Sequence, residues 1–243
     1  MATDSPPKPT MSVRRRLAWQ QATVVRTIVE NDTARTLVLD VPGWIGHRAG
    51  QHVDLRLTAD DGYQATRSYS LSAAPGEPPQ VSVGRVDDGE VSSFLVDEVG
   101  VGDTFEVRGP IGGVFVWEPT GAPLLLIGGG TGLAPLRAMW RVGAAGAPIE
   151  VRCSFRDIER VLWPDELAEI RATIHLTREG AGDGYRSGRI DAGSIMEALA
   201  RLGGTGAKPA IFVCGPTRFV EPIIGLLGEA GADRRSVHAE RFG

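Results

Sequence analysis

Hydrophobic and polar residues alternate over short segments from about residue 19 to residue 117. These segments are rich in Val, Thr and Leu, and turn formers such as Asn31-Asp32 and Pro75-Gly76 separate them. Period-two alternation between turns is typical of half-buried strands, and many short strands in succession predict an antiparallel barrel or sandwich, of which a Greek-key β-barrel is the expected form. The six predicted strands are residues 23–29, 35–41, 52–57, 66–71, 80–86 and 104–107.

One segment of this half has a different period. Apolar residues stand at 91, 94, 95 and 99, which fits one face of a short helix better than a strand. Ser92 lies near the start of this helix, where a hydroxyl is favoured.

After Pro119-Thr120-Gly121 the pattern changes to alternating strands and helices. Such alternation predicts a parallel sheet of five strands, covered by helices on both faces, with ligands at the carboxyl ends of the strands. The predicted strands are 124–128, 149–154, 173–177, 210–214 and 236–239, and the predicted helices are about 133–145, 164–171, 191–202 and 216–230.

These patterns divide the chain into three parts. Residues 1–16 are expected to form a flexible arm, 17–121 the barrel domain and 122–243 the α/β domain. A length of 243 residues is enough for two hydrophobic cores.

Composition excludes several classes of protein. A net charge of −4 gives no basic surface of the kind that nucleic-acid proteins carry. No apolar run approaches the ~20 residues that span a bilayer, and no apolar stretch of a secretory signal follows the first charges. We therefore expect a cytoplasmic monomer with no nucleic-acid or membrane partner.

The two cysteines, Cys153 and Cys214, stand far apart. An iron–sulfur cluster needs about four thiolates, and a zinc or redox CxxC motif is absent from the sequence. The four histidines show no metal-binding spacing either, so no metal site is expected.

A glycine-rich turn is the first candidate for chemistry. The apolar run 124–127 leads directly into Gly128-Gly129-Gly130-Thr131-Gly132, and a predicted helix follows. A strand–glycine–helix junction directs backbone N–H groups and the positive end of a helix dipole toward one point, which suits a phosphate. The same turn also allows a strand and a helix simply to pack closely.

A second candidate lies on the fourth predicted strand, at Arg67-Ser68-Tyr69-Ser70. Alternation directs Arg67 and Tyr69 to one face and the two serines to the other. A guanidinium offers a planar fork to a phosphate, and the phenol ring offers a flat surface to a ring system. An ordinary exposed strand face, with the ring packed on the arginine stem, is the alternative.

Five motifs in a fixed order identify a resemblance: RSYS at 67–70, GEVSSFL at 89–95, RGPIGGVF at 108–115, GGGTGLAP at 128–135 and VCGPT at 213–217. In this order the chain resembles the ferredoxin–NADP reductase family over nearly its whole length beyond the arm. The resemblance implies a flavin-binding barrel, an NAD(P)-binding α/β domain and hydride transfer between a nicotinamide and a flavin in the cleft between them.

The resemblance also implies roles for residues of the barrel. Arg67 is expected to pair with the flavin nucleotide phosphate, Tyr69 to stack on the isoalloxazine, and the Ser70 hydroxyl to bind near flavin N5. The backbone of Val83 and Arg85 is expected to flank the flavin chain.

Val91 and Ser92, at the start of the short helix, are expected to bind the second phosphate of a dinucleotide. This favours FAD over FMN. Some members of the family use only FMN, so that alternative stays open.

In the second domain the resemblance implies a pyrophosphate cradle and a nicotinamide pocket. Cys214 and Gly215 are expected to line the pocket, where a small residue lets the ring lie over the flavin. The cradle is expected to be formed by Gly129, Gly130, Thr131 and Gly132.

Charge indicates which nicotinamide nucleotide binds. The second strand ends at Ser154 and Arg156, and the third ends at Thr177 and Arg178, so two hydroxyl–arginine pairs converge. They favour the 2′-phosphate of NADPH over NADH.

Asp157 and Glu159 are evidence for NADH, because either carboxylate could bind a ribose diol. An ion pair of Arg178 with Glu179 or Asp183 is the ordinary structural interpretation of that arginine. Tyr185 is expected to stack on adenine.

Near the end of the sequence, the resemblance implies that Glu240 approaches the flavin–nicotinamide contact and that Phe242 covers the flavin. Together with Ser70 and Cys214, Glu240 completes the expected catalytic set. An ordinary last strand is the alternative.

The predicted function is that of an FAD-dependent NADPH oxidoreductase with a separate electron acceptor, because the sequence holds no cysteines for a cluster of its own. The acceptor is a ferredoxin, a flavodoxin, a haem or molybdenum protein, or an oxygenase component. Two alternatives remain: an NAD(P)H:flavin reductase acting on free flavin, and a non-enzymatic flavin-bearing subunit, whose known class carries cluster cysteines that are missing here.

Overall fold

A computed structural model describes residues 17–143, 146–180, 182, 184–204 and 206–242. The predicted arm, residues 1–16, lies outside the described residues. Two six-stranded sheets form successive parts of the chain.

The first sheet is antiparallel, with the strand order β4-β3-β6-β1-β2-β5. It curls until its two edge strands meet at a bridge between Leu71 and Val81, and β6 lies between β1 and β3 in a Greek-key arrangement. The inner face is closely packed around Leu37 and Leu55. This confirms the predicted antiparallel barrel. Its strands are β1 (Gln20–Asn31), β2 (Ala34–Asp40), β3 (His52–Thr58), β4 (Gln64–Ser70), β5 (Gln80–Gly84) and β6 (Thr104–Ile111).

Helix α1 (Glu90–Asp97) is the predicted short helix between β5 and β6. Its residues Val91, Leu95 and Val96 are buried in the barrel core. One apolar face therefore fixes the helix to the barrel.

The second sheet is parallel throughout, with the order β10-β9-β8-β7-β11-β12. It has six strands where the sequence predicted five. The additional edge strand β10 has only three residues, too few to produce a recognisable period. Its strands are β7 (Leu124–Gly129), β8 (Ile149–Phe155), β9 (Thr173–Leu176), β10 (Tyr185–Ser187), β11 (Ala210–Pro216) and β12 (Val237–Phe242).

Helices cover both faces of this sheet, as predicted. On one face α2 (Leu133–Gly143) and α3 (Pro164–Glu169) enclose a core that contains Leu126 and Phe212. The opposite face is covered by α4 (Ala192–Gly203) and α5 (Thr217–Glu229). The barrel adjoins the α2 face, because Phe115, which follows β6, packs edge-on against Phe212 at 5.2 Å between ring centroids.

Two arginines of α2 join the domains. Arg137 ion-pairs with Glu166 and donates to the Ser72 carbonyl and the Gln80 side chain of the barrel, each at 3.3 Å. One turn later, Arg141 forms two hydrogen bonds of 2.6 and 2.7 Å with Glu77. Paired hydrogen bonds between a guanidinium and a carboxylate fix orientation as well as distance.

Candidate active site

The barrel wall of the candidate site is strand β4. Arg67 and Tyr69 stand opposite Leu55 and Val53 of β3, on the face that turns toward the barrel interior. Arg67 is exposed, whereas Tyr69 is half-buried and packs against the barrel core. Burial raises the pKa of Tyr69 to about 12, so the ring carries a neutral phenol at physiological pH.

The two serines of β4 lie on the other face, as the alternation predicted. The Ser68 hydroxyl donates to Asp54 at 2.7 Å. Ser70 stands directly opposite His52 at the end of the strand. Arg67 and Ser70 therefore lie on opposite faces of the sheet, Arg67 at the middle of the strand and Ser70 at its end.

The end of β5 is one place where the two domains lie in close contact. A Cβ on Gly84 would lie 2.7 Å from the methyl group of Thr131, so the glycine turn of the second domain packs directly on this strand. Val83 is buried, and Arg85 directs its guanidinium to Asp97 of α1.

The N-terminus of α1 follows this strand. The Ser92 hydroxyl accepts from the Val86 N–H at 3.1 Å and donates to the Gly89 carbonyl at 3.2 Å, so it holds the turn that leads into the helix. The first N–H groups of a helix have no partner within the helix and suit an anion.

A cavity of about 570 Å³ adjoins this helix end. Val91 and Phe94 line one side, and Tyr63 and Ala65 line another. Ala65 precedes Arg67 by two residues on the same face of β4. A polar helix end beside a cavity of this size, which apolar and polar side chains line together, suits the second nucleotide of a flavin dinucleotide better than a bare FMN phosphate.

The glycine turn has the backbone geometry of an anion cradle. Gly130 adopts a φ of +55°, and no heavy atom lies within 4 Å of the position that its Cβ would occupy. A Cβ on Gly132 would instead lie 2.4 Å from the Cys214 carbonyl oxygen. The turn therefore needs glycine twice, once for an open surface and once for close packing on β11.

Phe219 of α5 is a contact that the sequence did not indicate. Its ring lies 2.8 Å from the Cβ position of Gly129 and 2.7 Å from that of Gly215. The two glycine segments expected to contact the nucleotide thus pack on one aromatic ring. Only the register of β7 and β11, which places them side by side, brings this about.

Cys214, Glu240 and His52 meet where the second sheet faces the barrel. Cys214 and Glu240 are register partners on β11 and β12. The Glu240 Oε1 lies 4.0 Å from Nδ1 of His52, which stands opposite Ser70. His52 therefore links Glu240 of the second sheet to the strand position opposite Ser70.

Burial shifts the pKa values of the two titratable side chains that the second sheet supplies to this crevice, Glu240 and Cys214. Desolvation raises the pKa of Glu240 to about 6, and its Oε2 is buried without a hydrogen-bond partner among the described residues. Desolvation, followed by the charge of Glu240, raises the pKa of the Cys214 thiol well above its usual range. A buried, unpaired carboxylate oxygen beside an inert thiol indicates a place that a ligand completes.

A smaller cavity of about 260 Å³ adjoins Glu240. Its other walls include His52, Gly112 and Val114 of the barrel side. Phe242, two residues beyond Glu240, is 40% exposed and free to cover a ligand at the end of β12.

The expected nucleotide-phosphate residues come together at the carboxyl ends of β8 and β9. The Arg178 N–H donates to the Arg156 carbonyl at 2.8 Å, and the Thr177 hydroxyl donates to the Phe155 carbonyl at 3.3 Å. Arg156 and Arg178 are exposed, and neither forms an ion pair with another side chain in the described part of the chain. Ser154, two residues before Arg156 on β8, is half-buried.

The nearby carboxylates differ in their partners. Glu179 accepts from the Ile158 N–H at 3.2 Å rather than pairing with Arg178. Asp157 lies 4.0 Å from Arg160, but its Oδ1 is buried without a hydrogen-bond partner among the described residues. Asp183, the other expected partner of Arg178, lies outside the described residues.

Tyr185 begins strand β10 opposite Ile174 of β9. Its ring packs against the core on the α2 face, two residues before the carboxyl end of the sheet. Stacking on adenine stays a prediction for this residue.

Within the described residues, no three His, Cys, Asp or Glu side chains gather in the manner of metal ligands. None of the described helices has the length and apolar character of a membrane span.

Comparison with known proteins assigns both halves of the chain. Residues 21–116 match the family model of the oxidoreductase FAD-binding domain, and residues 126–223 match that of the oxidoreductase NAD-binding domain. The first match covers the barrel and the second covers most of the parallel sheet.

Individual relatives agree with these matches. Ferredoxin–NADP reductase B of Sorangium cellulosum is 34% identical over 210 residues, which are 80% of this chain and 84% of that protein. The ferredoxin reductase component of the 3-ketosteroid-9-alpha-monooxygenase of Rhodococcus rhodochrous is 29% identical over 90% of this chain. The chain spans 64% of that component, slightly less than two thirds of its length.

Among solved structures, a cytochrome P450 reductase from Amycolatopsis superposes with a TM-score of 0.81 and 27% identity, covering 95% of this chain and 72% of that one. The fold, the two domain matches and the Sorangium relative confirm the resemblance found in the sequence. The chain belongs to the ferredoxin–NADP reductase family of flavoprotein oxidoreductases.

Proposed function

We propose that the protein is an FAD-dependent reductase that takes a hydride from NADPH and passes single electrons to a separate redox protein. The observation that supports this proposal is the contact of 4.0 Å between Glu240 of the NAD-binding domain and His52, the strand partner of Ser70 in the FAD-binding domain. FAD supplies the chemistry when bound, because a flavin accepts a hydride and releases electrons one at a time.

The residues of the chain bind and orient the flavin and the nicotinamide nucleotide. Tyr69 offers its ring to the flavin, Arg67 neutralises a phosphate, and the Ser70 hydroxyl is available as a hydrogen-bond partner at the strand end. Across the crevice, the small Cys214 side chain leaves space for the nicotinamide. Holding the two rings in contact removes most of the entropic cost of their encounter.

The choice of NADPH rests on the corner formed by Arg156 and Arg178. Their backbones are hydrogen-bonded to one another, and both guanidinium groups face solvent beside the exposed Thr177. Two such forks match the geometry and charge of a 2′-phosphate. A ribose diol, by contrast, requires an acceptor; Glu179 is already bound to the Ile158 N–H, whereas Asp157, with a buried Oδ1 that has no partner among the described residues, is the acceptor that NADH would use.

The proposed electron acceptor is a separate protein: a ferredoxin, a flavodoxin, a haem or molybdenum protein, or an oxygenase component. The names of the relatives support this class, since one is the ferredoxin reductase component of a monooxygenase and another is a cytochrome P450 reductase.

Stopped-flow reduction of the FAD-loaded protein tests the nucleotide preference. Replacing Arg156 and Arg178 by Ala removes both guanidinium partners of the 2′-phosphate. The apparent Kd for NADPH is expected to rise about tenfold, which corresponds to about 1.4 kcal/mol, and the apparent Kd for NADH is expected to stay unchanged. Arg26→Ala, which removes an exposed arginine of β1, is the matched control. Equal losses with both nucleotides would contradict the assignment.

Mixing the reduced protein with one-electron acceptor proteins tests the second half of the reaction. Rapid reoxidation by a ferredoxin or haem protein is the expected result. Flavin that dissociates on dilution, combined with rapid reduction of added free FMN, would instead identify a reductase of diffusible flavin. Protein that binds FAD but is not reduced by either nucleotide would identify a non-enzymatic subunit.

A further inference from the structure

His52 is the one barrel side chain with a charged form that lies within 4.0 Å of the Glu240 carboxylate in the described part of the chain. It opens β3, and Glu240 lies near the end of β12, so the contact joins the two domains across the crevice. Both side chains are mostly buried, with 24% and 29% of their surfaces exposed.

We propose that His52 is a positioning residue for Glu240, holding the carboxylate against the barrel by an imidazole–carboxylate contact that crosses the crevice. The inference deepens the proposed function, because it concerns the carboxylate expected beside the nicotinamide.

Glu240 needs such a partner. Its Oε2 is buried without a hydrogen bond among the described residues, and only Oε1 faces the imidazole. The cavity walls beside it are supplied mainly by glycines and apolar residues such as Val114 and Phe115. A buried carboxylate in such surroundings is destabilised unless a charge or a donor approaches it.

The other charged groups of this region are already engaged. Asp54, two residues after His52 on the same strand face, accepts from Arg108 at 2.6 Å and from Ser68 at 2.7 Å. Its negative charge still acts on His52 and favours the imidazolium. His238, two residues before Glu240, stacks on Phe212 with ring centroids 4.7 Å apart.

Cys214 also faces Glu240, but burial keeps its thiol protonated, and a thiol is a weak donor. Arg241, the next residue of β12, is directed to Glu221 at 2.6 Å. The remaining partner for the Glu240 carboxylate is therefore the His52 imidazole.

Burial acts on both groups. Desolvation lowers the pKa of His52 and raises that of Glu240 to about 6, so burial disfavours the charged form of each. Opposite charges 4.0 Å apart attract one another, and this attraction holds the carboxylate against the barrel.

NMR titration of the FAD-loaded protein tests this coupling. The side-chain carboxyl carbon of Glu240 is followed in the wild type and in His52→Gln, and the imidazole signals of His52 are followed in Glu240→Gln. We expect His52→Gln to raise the midpoint of Glu240 by about 0.5 to 1 pH unit. Glu240→Gln is expected to lower the midpoint of His52 by a matching amount, because linkage between two sites is reciprocal.

His238→Gln is the matched control, since it removes an imidazole from the same face of β12. His238→Gln is expected to shift the titration midpoint of Glu240 by less than half as much as His52→Gln does. Equal shifts in the two variants, or no shift of His52 in Glu240→Gln, would overturn the proposal. The Glu240→Gln titration stands by itself if His52→Gln does not fold with bound flavin.

Flavin reduction separates this inference from the function on which it rests. If the pair is coupled, the acid limb of the pH profile for reduction by NADPH moves in His52→Gln by the same amount as the NMR midpoint of Glu240. A normal rate of reduction without any coupling would overturn the role of His52 and leave the reductase intact. Coupling in a protein that NADPH does not reduce would leave the contact intact and refute the reductase.

Discussion

The two edges of the interface between the domains are built in opposite ways. At the α2 edge, Arg137 and Arg141 are each bound by carboxylates, and Arg137 also donates to two barrel acceptors. At the β12 edge, one contact of 4.0 Å between His52 and Glu240 faces a cavity of about 260 Å³.

This difference separates the edge that fixes the two domains from the edge where the reaction is proposed to occur. Satisfied charges at the α2 edge hold the barrel and the parallel sheet in one orientation, as precise placement of two cofactors requires. The unsatisfied carboxylate oxygen at the other edge lowers stability in the absence of a ligand. Such a group persists where binding requires it, and the expected catalytic residues lie on that side.

Removing an arginine from the α2 edge should have the largest effect on the free energy of unfolding. Arg137→Ala leaves Glu166 with only the Trp140 indole N–H as a donor and removes the Arg137 donor from two barrel acceptors. We expect a loss of about 3 kcal/mol in the free energy of unfolding, at the lower end for a buried pair because Glu166 can rehydrate. Urea denaturation measures it. Arg241→Ala, which breaks an exposed pair with Glu221, should cost less than about 1 kcal/mol. Equal losses would mean that the α2 edge is not the stronger one.

Gly132→Ala tests the close packing of the nucleotide turn. Its Cβ would lie 2.4 Å from the Cys214 carbonyl, so the turn must move away from β11. We expect about 2 kcal/mol of destabilisation, as for an overpacked site, together with weaker NADPH binding by fluorescence titration. Gly225→Ala in α5 meets no atom within 4 Å and should stabilise the helix by up to about 1 kcal/mol. A fully stable Gly132→Ala with normal binding would contradict the geometry.

Glu240→Gln should stabilise the protein, in contrast to the two destabilising substitutions above, and the size of this effect should depend on pH. Because the pKa of Glu240 is raised to about 6 in the folded state, ionisation opposes folding as pH rises from the ordinary value of 4.5 through 6. Above pH 7 the variant should be more stable than the wild type by up to about 2 kcal/mol, and near pH 4 the two should be equal. Thermal denaturation across this range measures the difference. Destabilisation at pH 8 would show that the carboxylate is already satisfied without a ligand.

Phe242→Ala should change stability least, because the side chain is 40% exposed. We expect less than about 0.5 kcal/mol in unfolding and a measurable change in the rate of flavin reduction. Unchanged kinetics would remove Phe242 from the site.

Local patterns predicted most of the fold. The alternation at 66–71 predicted β4, which the structure places at Gln64–Ser70, and the run of apolar residues before Gly128 predicted β7 and its turn. The three-residue strand β10 was missed because its hydrogen bonds to β9, rather than any period of its own, define it.

The site was predicted only in part, for a physical reason. Motifs indicated the residues that are expected to contact a cofactor, since each motif lies within one local segment. The partners that depend on long-range register were not accessible: His52 meets Glu240, Phe219 supports two glycines, and Arg137 bridges to Gln80. The sequence separations of these pairs leave no periodic signal.

The most direct test of the account is anaerobic single-turnover mixing of the FAD-loaded protein with NADPH that carries deuterium at the transferred position. If the nicotinamide docks from the parallel-sheet domain onto a flavin held against Tyr69, the flavin absorbance bleaches fully, and more slowly than with unlabelled NADPH. A protein that takes up FAD but does not bleach, or that bleaches at the same rate with both nucleotides, would contradict direct hydride transfer in this crevice.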